Sequence, residues 1–305
     1  MEMDLEEPVL DTQLKSNSLK PLLSISCLTY SHEPYIRECL EGFLMQKTTF
    51  SFEVIIHDDA STDGTKEIIE EYTAKYPDII FPIFQKENQY SKGIKPTWEF
   101  NFPRCRGKYI ALCEGDDYWT DPYKLQKQVD FLEANKDYNL VGHHAVNSYQ
   151  KKLGNFEKDT FTFDEIYCRN LRIPTASLVF RNNLEIPDWI FKVYGGDRAL
   201  IYLNSIKGKI KILPFLGSFY RIHSGGIEQT YKKDKFNFAV RNIKEDYLYY
   251  NLVKHLPMST ILFKKILKYH LYIIAQSILK FSPKHFYKAT VSLFSFILIR
   301  KVNYE

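Results

Sequence analysis

The chain has 305 residues, 45% of them hydrophobic and 15% aromatic, enough to bury a substantial core and too apolar for wholesale disorder. Its net charge of +4 is unevenly spread: residues 251–305 hold nine Lys/Arg against one Glu, a net +8, which leaves −4 for residues 1–250. The five cysteines are odd in number and show no CxxC or Cys/His spacing, which argues against a disulfide framework or a zinc site and fits a reducing compartment.

Residues 1–20, starting MEMDLEEPVLDTQLKSNS, are acidic and polar and lack the basic start and apolar run of a signal peptide, so a loosely ordered leader is expected there. The longest apolar stretch, VSLFSFILI at 291–299, falls well short of the roughly 20 residues of a spanning helix. A cytoplasmic protein is the expectation, with peripheral attachment to the inner membrane face as its variant.

PLLSISCLTYS (21–31) reads as a strand, and EPYIRECLEGFLMQ places Ile36, Leu40, Phe43 and Leu44 at helical spacing. The order repeats with the strand FEVIIHDD (52–59), the turn ASTDG and the amphipathic helix TKEIIEEYTAKY. IIFPIFQ supplies a third strand, KYIALCE a fourth, and DPYKLQKQVDFLEAN the next helix. LVGHHAV and PTASLVFRN read as further strands, GDRALIYLNSIKGK as a helix, IKILP as a short strand, and the chain from about 232 onward as helical. Strands alternating with helices predict an α/β fold with a mostly parallel sheet. Ligands of such sheets bind beyond the carboxyl ends of the strands. Tyr30, Asp58 and Asp59, and Glu114, Asp116 and Asp117 each follow such an end, and are therefore expected to converge.

Adjacent carboxylates repel, so they stay solvated, share a proton or bind a cation. Mg2+ or Mn2+ suits such oxygen ligands, and Mg2+ is commonly held by one or two carboxylates plus substrate phosphates. In HDDASTDGT, Asp59 either caps the following helix or accepts a hydrogen bond from a nucleobase N–H.

SISCLTYSHEPYIRECLEGFLMQ, FEVIIHDDASTDGT, GKYIALCEGDDYWTDPYKLQKQV and GGDRALIYLNSIKGKIKILPFLGSFYRIHSGGI together resemble, in order and spacing, the inverting glycosyltransferases of family 2, which have the nucleotide-binding GT-A fold. The resemblance covers roughly residues 21–230. It implies a nucleotide-binding half at 21–122 and an acceptor half at 123–230, and gives out in the tail, where the residues themselves read as a basic helical region at 231–305. By resemblance, Tyr30 stacks near the base, Asp59 bonds the uracil, and Glu114, Asp116 and Arg221 face the ribose and diphosphate. Asp117 becomes a metal ligand and Asp197 the catalytic base, while His223, on a loop that matches the family's closing loop, is either a further metal ligand or a phosphate contact. The chain departs from the family in having Glu114 where Asp is usual and Ala60 where Gly is common. His143 and His144 are read as structural.

The implied activity is metal-assisted (Mn2+ or Mg2+) transfer from a nucleotide-sugar, a UDP-sugar first, to a hydroxyl of a lipopolysaccharide or capsule glycan, with an acceptor that is free or lipid-linked. Rival readings are a non-catalytic nucleotide-sugar-binding or membrane-surface scaffold, and a sugar nucleotidyltransferase, which would need a Gly-rich phosphate loop where this chain has TYSHEPY. The basic tail either meets an anionic membrane or packs as an ordinary helical subdomain. No nucleic-acid motif accompanies it.

Overall fold

A computed structural model describes residues 20–154, 156–169, 172–193, 195–226, 243, 245–252, 259–279, 283, 286–287 and 289–294. These belong to two units, Met1–Phe163 with Arg172–Arg221, and Asp164–Leu171 with Ile222–Glu305. The chain order is β1 (Leu23–Thr29), α1 (Ile36–Leu44), β2 (Phe52–Asp58), α2 (Thr65–Lys75), β3 (Ile80–Phe84), β4 (Tyr109–Glu114), β5 (Tyr118–Trp119) and α3 (Lys124–Ala134). It continues with β6 (Tyr138–Asn147), β7 (Lys152–Leu153), β8 (Thr160–Phe161), α4 (Phe163–Arg169), β9 (Val179–Arg181), α5 (Gly196–Lys207), β10 (Lys209–Tyr220) and α6 (Ser259–Leu279). The expected leader at 1–20 lies, apart from Lys20, outside the described residues.

Among the described residues, ten strands form one sheet in the order β3-β2-β1-β4-β9-β6-β10-β5, with β7 beside β6 and β8 beside β10. β1 pairs in parallel with β2 and β4, and β2 with β3. β9 runs antiparallel to both its neighbours. The chain winds outward from β1 to β3 and then returns to place β4 on the other side of β1, so a switch point falls between β1 and β4. β1, β2 and β4 are buried almost throughout, as strands covered by helices on both faces must be. Pro82 is tolerated in β3 because that strand is an edge.

The expected apolar stripe of α1 is realised: Ile36, Leu40 and Phe43 are fully buried, and the Phe43 ring meets Trp119 edge-on at 4.7 Å between centroids. Glu53 is buried within β2 and is satisfied on every side, by the Ser24 hydroxyl (2.6 Å) and by the Arg106 backbone N–H (2.8 Å) and Nε (2.7 Å). The Arg106 turn reaches β1 because residue 107 is glycine. A Cβ there would lie 2.5 Å from the Ser24 nitrogen.

Two elements differ from expectation. PTASLVFRN is a strand only over Val179–Arg181, since Thr175–Ser177 form a helical turn after Pro174. IKILP is the beginning of a twelve-residue strand that continues to Tyr220. Its pairing with β6 shifts register between Leu213 and Leu216 and again before Ser218. Pro214 and Gly217 interrupt the alternation there, and such bulges hide a strand from a period-2 reading. β5, two residues long, pairs antiparallel with Ser218 and Phe219.

Lys124, at the start of α3, is fully buried, and its amine meets no hydrogen-bond acceptor among the described residues. It lies 3.9 Å from the centre of the Trp119 ring, a cation–π contact. Loss of solvent lowers its pKa to about 7. Because the unfolded chain holds that proton up to ~10.4, protonation favours the unfolded state between these values. Folding stability should therefore rise with pH from about 7 upward. In Lys124→Met this component of the rise disappears, which urea unfolding of both proteins at a series of pH values will measure.

Candidate active site

The β1–α1 and β2–α2 loops are zipped together beyond the strand ends. Ser31 N–H donates to the Ser61 hydroxyl oxygen (2.8 Å), His32 N–H to that of Thr65 (2.8 Å), and Gly64 N–H to the Glu33 carboxylate (2.8 Å). Asp58 forms the local turn, its carboxylate accepting from the Ser61 N–H (3.1 Å) and hydroxyl. Of the residues in HDDAS, the local turn is therefore made by Asp58. Asp59, also buried, accepts across the site from the backbone N–H groups of Gln89 (2.8 Å) and Tyr90 (3.0 Å), while its own N–H donates to Thr29 O (3.0 Å). His57 Nε2 is 3.6 Å from Asp59, but burial lowers the imidazole's pKa, so this is a contact of a neutral ring. Tyr30 is half exposed at the mouth of β1.

Ala60 has φ +62°, in the left-handed region that penalises a Cβ. The family's preference for glycine at this position therefore has a local physical cause.

The second wall is the acidic turn after β4. Gly115 lets it approach β1, since a Cβ there would lie 2.8 Å from the Thr29 side chain. Asp117 is buried, and its Oδ1 accepts the Arg221 backbone N–H (2.8 Å). The Arg221 Nε donates to Asp116 O (2.9 Å), and its guanidinium pairs with Glu38 and lies 4.7 Å from the Tyr35 ring centre. The His32 imidazole stands 3.8 Å from Asp116. Asp197 is exposed in the first turn of α5, where the helix dipole favours a carboxylate. It is near enough that its charge and that of Asp116, added to loss of solvent, push the Glu114 carboxyl up to about 8. Burial, then Asp116 and Glu114, raise Asp117 well above the ordinary carboxylate range.

Glu114, Asp116, Asp117, Asp197 and Arg221 are therefore brought together, with Tyr30 and Asp59 at the adjoining strand ends. His223 belongs to the second unit, on a turn in which Gly226 N–H donates to its carbonyl (3.1 Å). Glu38, Tyr35 and His32 were not anticipated as site residues. Their only sequence signal is membership of the loop and first helical turns that follow Tyr30.

Carboxylates held out of water at raised pKa form a site short of positive charge, and their oxygens suit a hard divalent cation. Among the described residues no three His, Cys, Asp or Glu side chains are grouped to hold an ion by themselves.

The sheet order, the switch point and the acid-lined strand ends define a GT-A type α/β protein. The family model for glycosyl transferase family 2 matches residues 24–196, and the chain belongs to that family. An uncharacterized protein of Mycobacterium tuberculosis is 37% identical over 222 residues, covering 71% of this chain and 63% of its own length; the match spans less than two thirds of that relative. Among solved structures, S. aureus TarS 1–349 in complex with UDP-GlcNAc has a TM-score of 0.57 at 14% identity, covering 90% of this chain and 91% of TarS 1–349. The mannosyltransferase PcManGT of Pyrobaculum calidifontis, in complex with GDP-Man and Mn2+, has a TM-score of 0.56 at 15% identity, covering 92% and 76%. These two likenesses carry the fold.

Replacing Ala60 by Gly removes the left-handed penalty, and Ala60→Gly should stabilise the fold by about 1 kcal/mol, read as a higher urea midpoint at unchanged slope.

Proposed function

We propose that this chain is a metal-dependent inverting glycosyltransferase, moving a sugar from a nucleotide donor, a UDP-sugar, to a hydroxyl of a growing bacterial surface glycan. Family membership supports the reaction class. The UDP-GlcNAc of TarS and the GDP-Man and Mn2+ of the mannosyltransferase support a nucleotide-sugar donor and a divalent ion. The observation that carries the reading is the group of carboxylates at the switch point, two of them resisting ionisation beside an exposed Asp197.

In this reading the base stacks on Tyr30 and donates an N–H to Asp59, whose carboxylate is already oriented by Gln89 and Tyr90. Glu114 and Asp116 line the ribose and diphosphate side. Asp117, whose Oδ1 accepts the Arg221 N–H, would help to hold the ion. A bound Mn2+ or Mg2+ supplies positive charge that offsets the charge developing on the departing diphosphate. Arg221, held by Glu38 and Tyr35, presents a fixed cation to the same side. Asp197 takes the proton of the acceptor hydroxyl as its oxygen bonds to the anomeric carbon and the bond to the diphosphate breaks. One displacement inverts the centre and leaves no sugar on the protein.

UDP should bind more tightly with Mn2+ than without it. In Asp117→Ala and in Asp117→Asn, which retains an acceptor for the Arg221 N–H, that enhancement should vanish in calorimetric titrations; full enhancement in both would remove Asp117 from the metal site. His223→Ala in the same titration tests its carried-over ligand role. For Asp197→Asn the expectation is unchanged donor affinity with transfer slowed about 10²–10⁴-fold. Near-normal turnover would exclude it as the base. A panel of UDP- and GDP-sugars screened for Mn2+-dependent hydrolysis identifies the donor, and no turnover or binding with any of them overturns the enzyme reading.

A further inference from the structure

The second unit has a small core of its own, in which Ile273 of α6 packs with Ile243 and Ala289. Leu262, Phe263, Ile266 and His270 are buried along with Ile273, and the Lys265 ammonium reaches the buried Asp246 carboxylate at 3.0 Å. The opposite side of α6 is left open. Lys264, Lys268, Leu271, Tyr272, Ile278 and Leu279 are all exposed, Ile278 at 57% and Leu279 at 71%. At 3.6 residues per turn these six fall within a sector of about 120°. The face is graded along its length, with two lysines towards the N-terminal end and four apolar or aromatic side chains towards the C-terminal end. Neither lysine is in an ion pair among the described residues. The segment that follows adds exposed Tyr287 and Phe294.

A face of this kind is costly in water, where its apolar surface gains nothing, and it lacks the length of continuous hydrophobicity needed for insertion: no described helix is long and apolar enough to cross a membrane. It does match a headgroup boundary, in which leucine, isoleucine and tyrosine enter the acyl edge while lysine meets phosphate. The charge agrees in sign and location, since residues 251–305 carry nine Lys/Arg and one Glu, and each basic residue near an anionic surface adds to attraction.

We infer that this face of α6 docks on an anionic lipid surface, with Leu271, Tyr272, Ile278 and Leu279 entering the boundary and Lys264 and Lys268 binding lipid phosphates. Nothing in this placement depends on the donor site. The full chain is floated with vesicles of phosphatidylcholine, with and without phosphatidylglycerol, at low and high salt. Partition into the anionic vesicles alone, weakened by salt, is expected. Lys264→Gln and Lys268→Gln should each lower the partition coefficient about fivefold, and the triple change Leu271→Ser, Ile278→Ser, Leu279→Ser should abolish it with the thermal unfolding midpoint unchanged. All five positions are exposed, so the variants should fold. Absence of partition, equal partition into neutral and anionic vesicles, or retained partition in the triple variant would overturn the assignment. So would a concentration-dependent dimer, seen in sedimentation equilibrium, that the triple variant abolishes: the face would then belong to a second copy.

Discussion

The hydrogen bond from the Arg221 N–H to the buried Asp117 carboxylate joins the turn after β4 to the end of β10, and the geometry of the acidic corner depends on it. It ties the last described strand's carboxyl end to the switch point. β5 supplies the second tie, pairing Trp119 and Tyr118 with Ser218 and Phe219. Together they place Arg221 where one guanidinium reaches both the Asp116 carbonyl and Glu38. A buried carboxyl oxygen that accepts a backbone N–H keeps, inside the protein, a hydrogen bond of the kind it had in water. That bond offsets part of the cost of holding Asp117 out of water.

What remains of that cost explains the electrostatics. Glu114 and Asp117 lie within reach of each other's field and of Asp116, with little water to screen them, and both resist ionisation. An acid-rich corner of this kind is a receptor for positive charge. The end of β2 works in the opposite way: Asp59 accepts from two backbone N–H donors, which orient a carboxylate without a cation. A carboxylate held by backbone donors and a cluster of crowded acids thus fall at different strand ends, β2 and β4, with β1 between them.

Much of this was legible in the chain. The strand–helix alternation, the apolar stripe of α1 and the recurrence of acids after strands predicted a mostly parallel sheet with its chemistry beyond the carboxyl ends of the strands; β1 to β4 do pair in parallel, and antiparallel strands such as β9 extend them. Glu114, Asp116, Asp117 and Asp197 do gather at one corner. Less legible were the second half of β10 and the two-residue β5, because Pro214, Gly217 and the register shifts break the alternation that marks a strand. Glu38 and Tyr35 were missed for another reason. A glutamate and a tyrosine in the first turns of an amphipathic helix are ordinary surface residues until a distant arginine is folded onto them.

The amino-acid sequence by itself determined the family, the fold class and the identity of the acids, because periodicity and short motifs are local properties of the chain. Only the tertiary structure decided how those acids divide their work. Asp58 turns the chain while Asp59 reaches a loop 30 residues away, and Asp117 caps a residue 104 positions further on. It also decided which lysines are paired: Lys265 turns inward to Asp246, while Lys264 and Lys268 stay outside. Partner choice and desolvation are set by through-space distances, and these exist only once the chain has folded.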